Sequence, residues 1–409
     1  MYISDISDYD KGELSMTFSF DIIQTIAMAV MVLYLGNLIR IKINLLERFC
    51  IPSPVIGGII FSIIVLIGYL TNYYHFEFDT TLQSVFMTAF FTTIGYSASL
   101  KVLKEGGIKV FIFLAIVIIL VILQDILGVV LAKLFGLNPL IGLSTASVPM
   151  VGGHGTAGAF ATIFEELGAS GAVTVAMASA TFGLIAGSMI GGPLGKRLVE
   201  KHDLKSTDTG RIVIVDSSQE DSSDNKFAQA AYQIIIAMGI GTIISKILVF
   251  ATGQTFPEYL GAMFAAAIIR NNADASSRFE IHIDKIETIG NFCLSMFLAM
   301  ALMTLKLWEL ADLALPLLVM LLSQAVLMAI FAYFVTFNVM GRNYDAAVIA
   351  CGNCGFGMGA TPNAMANMQA MTSKFGYSKK AFFIVPLVGS LFIDFVNTTV
   401  ITIFMNIFA

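Results

Sequence analysis

The chain has 409 residues, 57% of them hydrophobic and 12% charged, with a formal net charge of −5 and a mean hydropathy of +0.84. Soluble domains carry about 25% charged residues, so the composition excludes an ordinary soluble domain and identifies an integral membrane protein. It also leaves no basis for a nucleic-acid partner.

Residues 1–15 (MYISDISDYDKGELS) are polar and acidic. They lack the basic n-region and apolar core of a cleavable signal and read as a disordered extension within an N-terminal tail, 1–18. Apolar runs of about 20 residues cross a bilayer. Ten such runs follow, at 19–39, 54–72, 82–100, 110–134, 172–195, 227–250, 258–270, 286–305, 313–338 and 381–406. The polar stretch 196–226 (KRLVEKHDLKSTD and SSQEDSSDNK within it) separates five runs from five. The fold class expected is therefore an all-α integral membrane protein of two repeats, 19–195 and 227–409, joined by a solvated linker. Five spans per half is an odd number, so the second repeat must be inverted relative to the first.

Charge placement orients the chain. With the N-terminus outside, every Lys and Arg falls on the inner side except Lys11, Lys133, Lys246 and Lys306. This is the asymmetry of the positive-inside rule. Both termini are expected outside and the linker on the cytoplasmic side.

Between runs four and five lies 138–166, and between runs nine and ten lies 343–371; both are rich in glycine. At one constant interval Gly152 falls on Gly357, Thr156 on Thr361 and Ala159 on Ala364. Irregular backbone at membrane depth is tolerated only inside protein or along a water-filled cavity, and a matched pair of interruptions points to a transporter's binding site. Each stretch is long enough for two half-helices with a tip at mid-membrane. The tip glycines free backbone groups for a ligand. Thr361-Pro362 reads as a threonine N-cap followed by proline at the first helical position, a helix start whose free N–H groups suit an anion. The glycines at 183, 187, 191 and 195 share one helix face and read as a close-packing surface.

Asp394 lies in the middle of the last run, where an ionisable group is expensive and usually functional, with Asn397 and Thr398 on its face. Asp125 beside Gln124 in run four is a weaker candidate, and Gln324 in run nine suggests a helix contact shared by the repeats. His154 is either a pH switch or, the preferred reading, a tip histidine bonded to a carbonyl. Cys50, Cys293, Cys351 and Cys354 read as unpaired; Cys351 and Cys354 lack the second ligand pair a zinc site needs and serve as small side chains between helices. No motif of an intramembrane enzyme is present, so the chain is not expected to be an enzyme. Broken helices in inverted halves argue against a channel.

Several long motifs stand in order: Ile51-Pro-Ser-Pro-Val-Ile-Gly-Gly58, Gly152-Gly-His-Gly-Thr156, Leu298-Ala-Met-Ala-Leu302 with Lys306-Leu-Trp-Glu309, Cys354-Gly-Phe-Gly-Met-Gly-Ala-Thr-Pro362 and Phe392-Ile-Asp-Phe-Val-Asn397. In these the chain resembles the bacterial glutamate:sodium symporter family over nearly its whole length from Met16. The resemblance implies Na⁺-coupled uptake of L-glutamate, re-entrant hairpins, a homodimer and an elevator-like movement; a symporter of aspartate or a dicarboxylate is the alternative. Na⁺ would be a co-transported ion rather than a cofactor, and no resident cofactor is expected. The expected substrate residues are Gly153, His154, Gly155 and Thr156 in the first hairpin, Gly357, Gly359, Thr361, Pro362 and Asn363 in the second, and Asp394 and Asn397 beyond it. Sodium is expected near Gly152, Gly355, Asp394 and Thr398.

Overall fold

The computed structural model describes residues 2–5, 16–206, 224–254, 256–276 and 280–409. Parts of the expected tail (6–15) and of the linker (207–223) lie outside the described residues. The helices used below are α1 (Ile22–Lys42), α2 (Ser53–Thr71), α3 (Thr81–Ser97), α4 (Gly107–Leu134), α5 (Pro139–Leu143), α6 (Ser147–Met150), α7 (Gly153–Glu166) and α8 (Ala172–Lys201). There follow α9 (Asp224–Thr252), α10 (Glu258–Ser276), α11 (Ile283–Met303), α12 (Ala314–Val339), α13 (Tyr344–Phe356), α14 (Thr361–Phe375), α15 (Lys379–Leu391) and α16 (Ile393–Phe408).

Seven helices among the described residues are long and apolar enough to cross a membrane, and α15 with α16, bent by 44° between Leu391 and Ile393, makes an eighth. This is a multi-pass membrane protein. Exposed isoleucines along α9 (Ile235, Ile236, Ile243, Ile247) would be a liability in water and suit a lipid-facing surface. The remaining two runs, α3 and α10, fall short because α3 has 17 residues and α10 carries Arg270 and Asp274 in its last turns. Both are covered by protein: Phe91 and Tyr96 of α3 and Tyr259 to Met263 of α10 are buried. A helix so covered needs less apolar surface of its own.

The chain is all-α in class, as expected, with one small addition: strands β1 (Tyr2–Asp5), β2 (Met16–Phe20) and β3 (Tyr74–Phe78) form a sheet, β1 antiparallel to β2 and β2 parallel to β3. Alternation explains it, since Phe76 and Phe78 both lie against Phe61 of α2, at 5.6 and 5.9 Å. Part of the tail read as unstructured is thus a strand. The helix α8 continues to Lys201, supported by helix-forming residues and a Lys196–Glu200 pair at 3.8 Å.

Packing sorts the helices into two bundles, and each draws on both halves of the chain. The first holds α1, α2 and α3 with α9, α10 and α11; the second holds α4 to α8 with α12 to α16. Asn271 of α10 ties the first bundle together, donating to the Ala98 carbonyl (2.8 Å) and accepting from the Leu100 N–H (2.8 Å). Contacts across the two bundles are fewer, mainly α7 on α11 and α16 on α3 and α10.

Candidate functional site

Two helix–turn–helix segments reach into the second bundle. Each opens on an asparagine cap: Asn138 accepts from the Leu140 N–H and Asn343 from the Ala346 N–H, both at 2.9 Å. In the second segment α13 is continuous. In the first, α5 stops at Leu143 and α6 resumes at Ser147. Pro149 has no N–H to give the Thr145 carbonyl, so the helix cannot run through. The leaving arms are α7 and α14, and neither has a side-chain cap on its N-terminus.

The turns between the arms meet. A Cβ built on Gly153 would stand 3.6 Å from the Gly359 carbonyl oxygen, and Gly153 has φ +60, which favours glycine. Around this meeting point lies a cavity of ≈ 660 Å³ between the two bundles, within the range of small-molecule sites. The second bundle contributes Gly152 to Gly155, Gly359 to Pro362, Ser390 and Asp394. The first bundle contributes Thr93 and Ser97 from α3 and Glu287, Asn291 and Leu294 from α11. Ser97 ends α3 and the exposed Glu287 lies near the start of α11, with Gly290 packed on Thr93, so these two helix ends lie side by side. Its described lining includes Asp394 and Glu287 and no Lys or Arg.

Of the expected substrate residues, Gly153, His154, Gly155, Gly359, Thr361, Pro362 and Asp394 line the cavity, as does Gly152. Asp394 sits in the first turn of α16, just past the bend, with no ion pair or hydrogen bond to its carboxylate among the described residues. Thr361 differs from expectation: Ala360 is the N-cap of α14, and the Thr361 hydroxyl donates to the Gly389 carbonyl at 2.9 Å. His154 differs too, because its partner is a hydroxyl. Thr181 Oγ1 donates to the Met177 carbonyl (3.1 Å) and so accepts from His154 Nε2 (3.0 Å).

The other expected residues lie off the cavity. Thr156 is buried one turn inside α7. Gly355 is where α13 crosses α14, since a Cβ there would meet the Ala364 nitrogen at 2.4 Å. The Gly357 carbonyl accepts from Gln124 Nε2 (2.9 Å), and Gln324 Nε2 donates in turn to the Gln124 carbonyl (2.9 Å); the glutamines are helix contacts, as read. Asn363 is turned away from the turn and donates to the Leu184 carbonyl (2.9 Å) and Ser188 Oγ (2.7 Å) of α8. Asn397 donates to the Ser147 carbonyl (3.2 Å), and the Thr398 hydroxyl to the Asp394 carbonyl (2.6 Å).

The glycine face of α8 is the bed of the second segment. Added Cβ atoms at Gly183, Gly187 and Gly191 would meet the carbonyl oxygens of Met358 (2.1 Å), Cys354 (2.7 Å) and Cys351 (2.8 Å). Asn367 donates to the Gly187 carbonyl at 2.9 Å from the other side. The four cysteines are free thiols, and Cys351 lies against Gly195 of α8, in keeping with a spacing role. Sequence reasoning missed Thr93, Glu287 and Asn291. Glu287 and Asn291 lie one turn apart on α11, a spacing the sequence does contain, but only packing shows that this face meets the turns.

The sodium/glutamate symporter family profile matches residues 18–377. Curated sodium/glutamate symporters of Escherichia coli strain K12 and Shigella flexneri are each 40% identical to this chain over 404 residues, covering 95% of it and 98% of the relative. That of Haemophilus influenzae is 40% identical over 397 residues with the same coverage. A solved sodium proton antiporter from Methanocaldococcus jannaschii overlaps loosely, at TM-score 0.42 and 13% identity over 94% of this chain and 98% of that one. With a family profile spanning most of its length and relatives this similar end to end, the chain belongs to the sodium/glutamate symporter family.

Proposed function

We propose that the protein couples the entry of Na⁺ to uptake of L-glutamate, with the substrate held in the cavity between the bundles. One observation carries the reading: two uncapped helix N-termini, α7 and α14, share that cavity with the unpaired carboxylate of Asp394. Glutamate has two carboxylates and one ammonium. Each N-terminus presents free N–H groups and the positive end of a helix dipole to a carboxylate, and Asp394 takes the ammonium. With Asp394 and Glu287 on its wall and no Lys or Arg in its described lining, the cavity carries no fixed cation to balance an anionic substrate. Na⁺ supplies the balance and the coupling. One Na⁺ with glutamate is neutral; each further Na⁺ adds about 2.3 kcal/mol of drive per 100 mV.

On this reading the two segments are re-entrant hairpins of two inverted repeats, one entering from each side of the membrane. The first bundle is the scaffold and the second moves past it. The α7 surface that faces the scaffold is stripped of side chains at Gly155 and Gly158, which sit against Phe90, Leu294 and Phe297, a face suited to sliding. Ser97 and Glu287 lie on the side that holds most of the basic residues, so the conformation is open to the cytoplasm, with both termini outside. A homodimer built on the scaffold follows the family resemblance.

Purified protein in proteoliposomes should accumulate labelled glutamate above the external concentration when Na⁺ is inwardly directed. Unlabelled aspartate and dicarboxylates should compete less well than glutamate. Equal uptake with choline in place of Na⁺ would overturn the coupling, and stronger competition by a dicarboxylate would overturn the substrate.

A further inference from the structure

The cavity does not account for every buried polar group. A second cluster lies within the second bundle, where α4, α6 and α16 converge on Ser147. The break in the first hairpin's entering arm leaves the Ser147 N–H without a helical acceptor, and Asp125 Oδ1 accepts from it at 3.1 Å. From the other side Asn397 Nδ2 donates to the Ser147 carbonyl at 3.2 Å. These two bonds use one oxygen of the carboxylate and the nitrogen of the amide. Asp125 Oδ2, Asn397 Oδ1 and Ser147 Oγ remain, all buried and none with a hydrogen bond of ordinary geometry among the described residues, and the Ser147 hydroxyl lies beside the Asp125 carboxylate. The three residues are fully inaccessible, at 0% exposure each. Both side chains bond the backbone of one residue, which brings Asp125, Ser147 and Asn397 into one neighbourhood of the second bundle.

A buried carboxylate is neutralised by a proton or by a counter-charge. Among the described residues no Lys, Arg or His pairs with Asp125, and none of the three residues lines the cavity. We propose that Asp125 Oδ2, Ser147 Oγ and Asn397 Oδ1 are ligands of a buried Na⁺, separate from the substrate cavity. One carboxylate with neutral oxygens suits a hard monovalent cation, whereas divalent sites draw on more carboxylate and water oxygens. The ion neutralises Asp125 and fastens the broken arm of the first hairpin to α4 and α16. That arm leads directly to Gly152 and Gly153, so occupancy of the site orders one wall of the cavity. The proposal rests on the Na⁺-coupled reading above and assigns one place where the coupling ion sits.

The test uses the purified full-length chain without glutamate, unfolded by heat at increasing NaCl with choline chloride holding ionic strength constant. A ligand that binds only the folded state raises its melting temperature, so the wild type should be stabilised by Na⁺. Ser147→Ala keeps both backbone bonds to residue 147 and removes one ligand; its Na⁺ midpoint should rise about tenfold. Asp125→Asn removes the charge and should raise the midpoint by roughly ten- to a hundredfold, with glutamate affinity recovering at saturating Na⁺. If Asp125→Asn does not fold, Ser147→Ala decides alone. An unchanged midpoint in folded Ser147→Ala overturns the proposal. So does an Asp125→Asn protein that keeps its Na⁺ response but loses a pH response, which would place a proton on Asp125. A wild type whose melting and glutamate binding both ignore Na⁺ overturns this site and the coupled reading together. Na⁺-dependent glutamate binding with unaltered midpoints in both variants overturns this site only.

Discussion

Replacing Asp394 by asparagine removes a charge from the cavity wall at nearly constant shape. The carboxylate stands in the first turn of α16 and lines the cavity, with no basic partner among the described residues. Thr398, one turn on, is occupied with the Asp394 carbonyl at 2.6 Å, so it does not compete for the carboxylate. If Asp394 holds the substrate ammonium, the substitution truncates a desolvated charge pair, a loss of about 2–5 kcal/mol. Glutamate affinity should then fall by about one and a half to three and a half decades. If Asp394 binds Na⁺ instead, the apparent Na⁺ affinity falls first and glutamate affinity recovers at high Na⁺. A purely structural carboxylate would give early unfolding with normal binding in the folded fraction. Glutamate titrations of purified Asp394→Asn at several Na⁺ concentrations, with melting curves alongside, separate these outcomes. Unchanged affinity for both ligands in a stable protein would remove Asp394 from the site.

Gly191→Ala places a Cβ 2.3 Å from Asn367 Nδ2 and 2.8 Å from the Cys351 carbonyl, while Gly192→Ala meets nothing within 4 Å. The first should lose about 1–3 kcal/mol and unfold earlier in detergent; the second should not. Gly153→Ala holds a side chain at φ +60, which costs about 1–2 kcal/mol, so it should slow uptake more than it lowers the melting temperature. In a Cys50→Ser background, an impermeant thiol reagent on intact cells should label Asn72→Cys and spare Lys205→Cys, and the reverse would invert the topology.

How much could be read from the chain depended on whether the signal was local. The apolar runs and the spacing of Asn138 and Asn343 are written in consecutive residues, and the described helices follow the runs closely. The small sheet was not legible, because Met16–Phe20 and Tyr74–Phe78 become strands only by pairing with each other across α1 and α2. The cavity-lining glycines and Asp394 were legible from depth and periodicity. The roles of Thr361 and Asn363 were not: a hydroxyl or amide near a helix start is as free to bond a neighbouring helix as its own, and here Gly389 and Leu184 claim them. Glu287 and Asn291 escaped notice because they belong to the first bundle, and nothing in sequence order says that α11 faces the turns. Asp125 was visible as a misplaced charge, but only the break between Leu143 and Ser147 explains what it bonds.

The most direct test of the account is the structure of the protein bound to glutamate in Na⁺. The account predicts ligand density between Gly153–Gly155 and Thr361–Pro362, with the two carboxylates on the N-termini of α7 and α14 and the ammonium within hydrogen-bond reach of Asp394. Glutamate seated away from both turns, or bound with its ammonium remote from Asp394 and its carboxylates on side-chain cations, would contradict it.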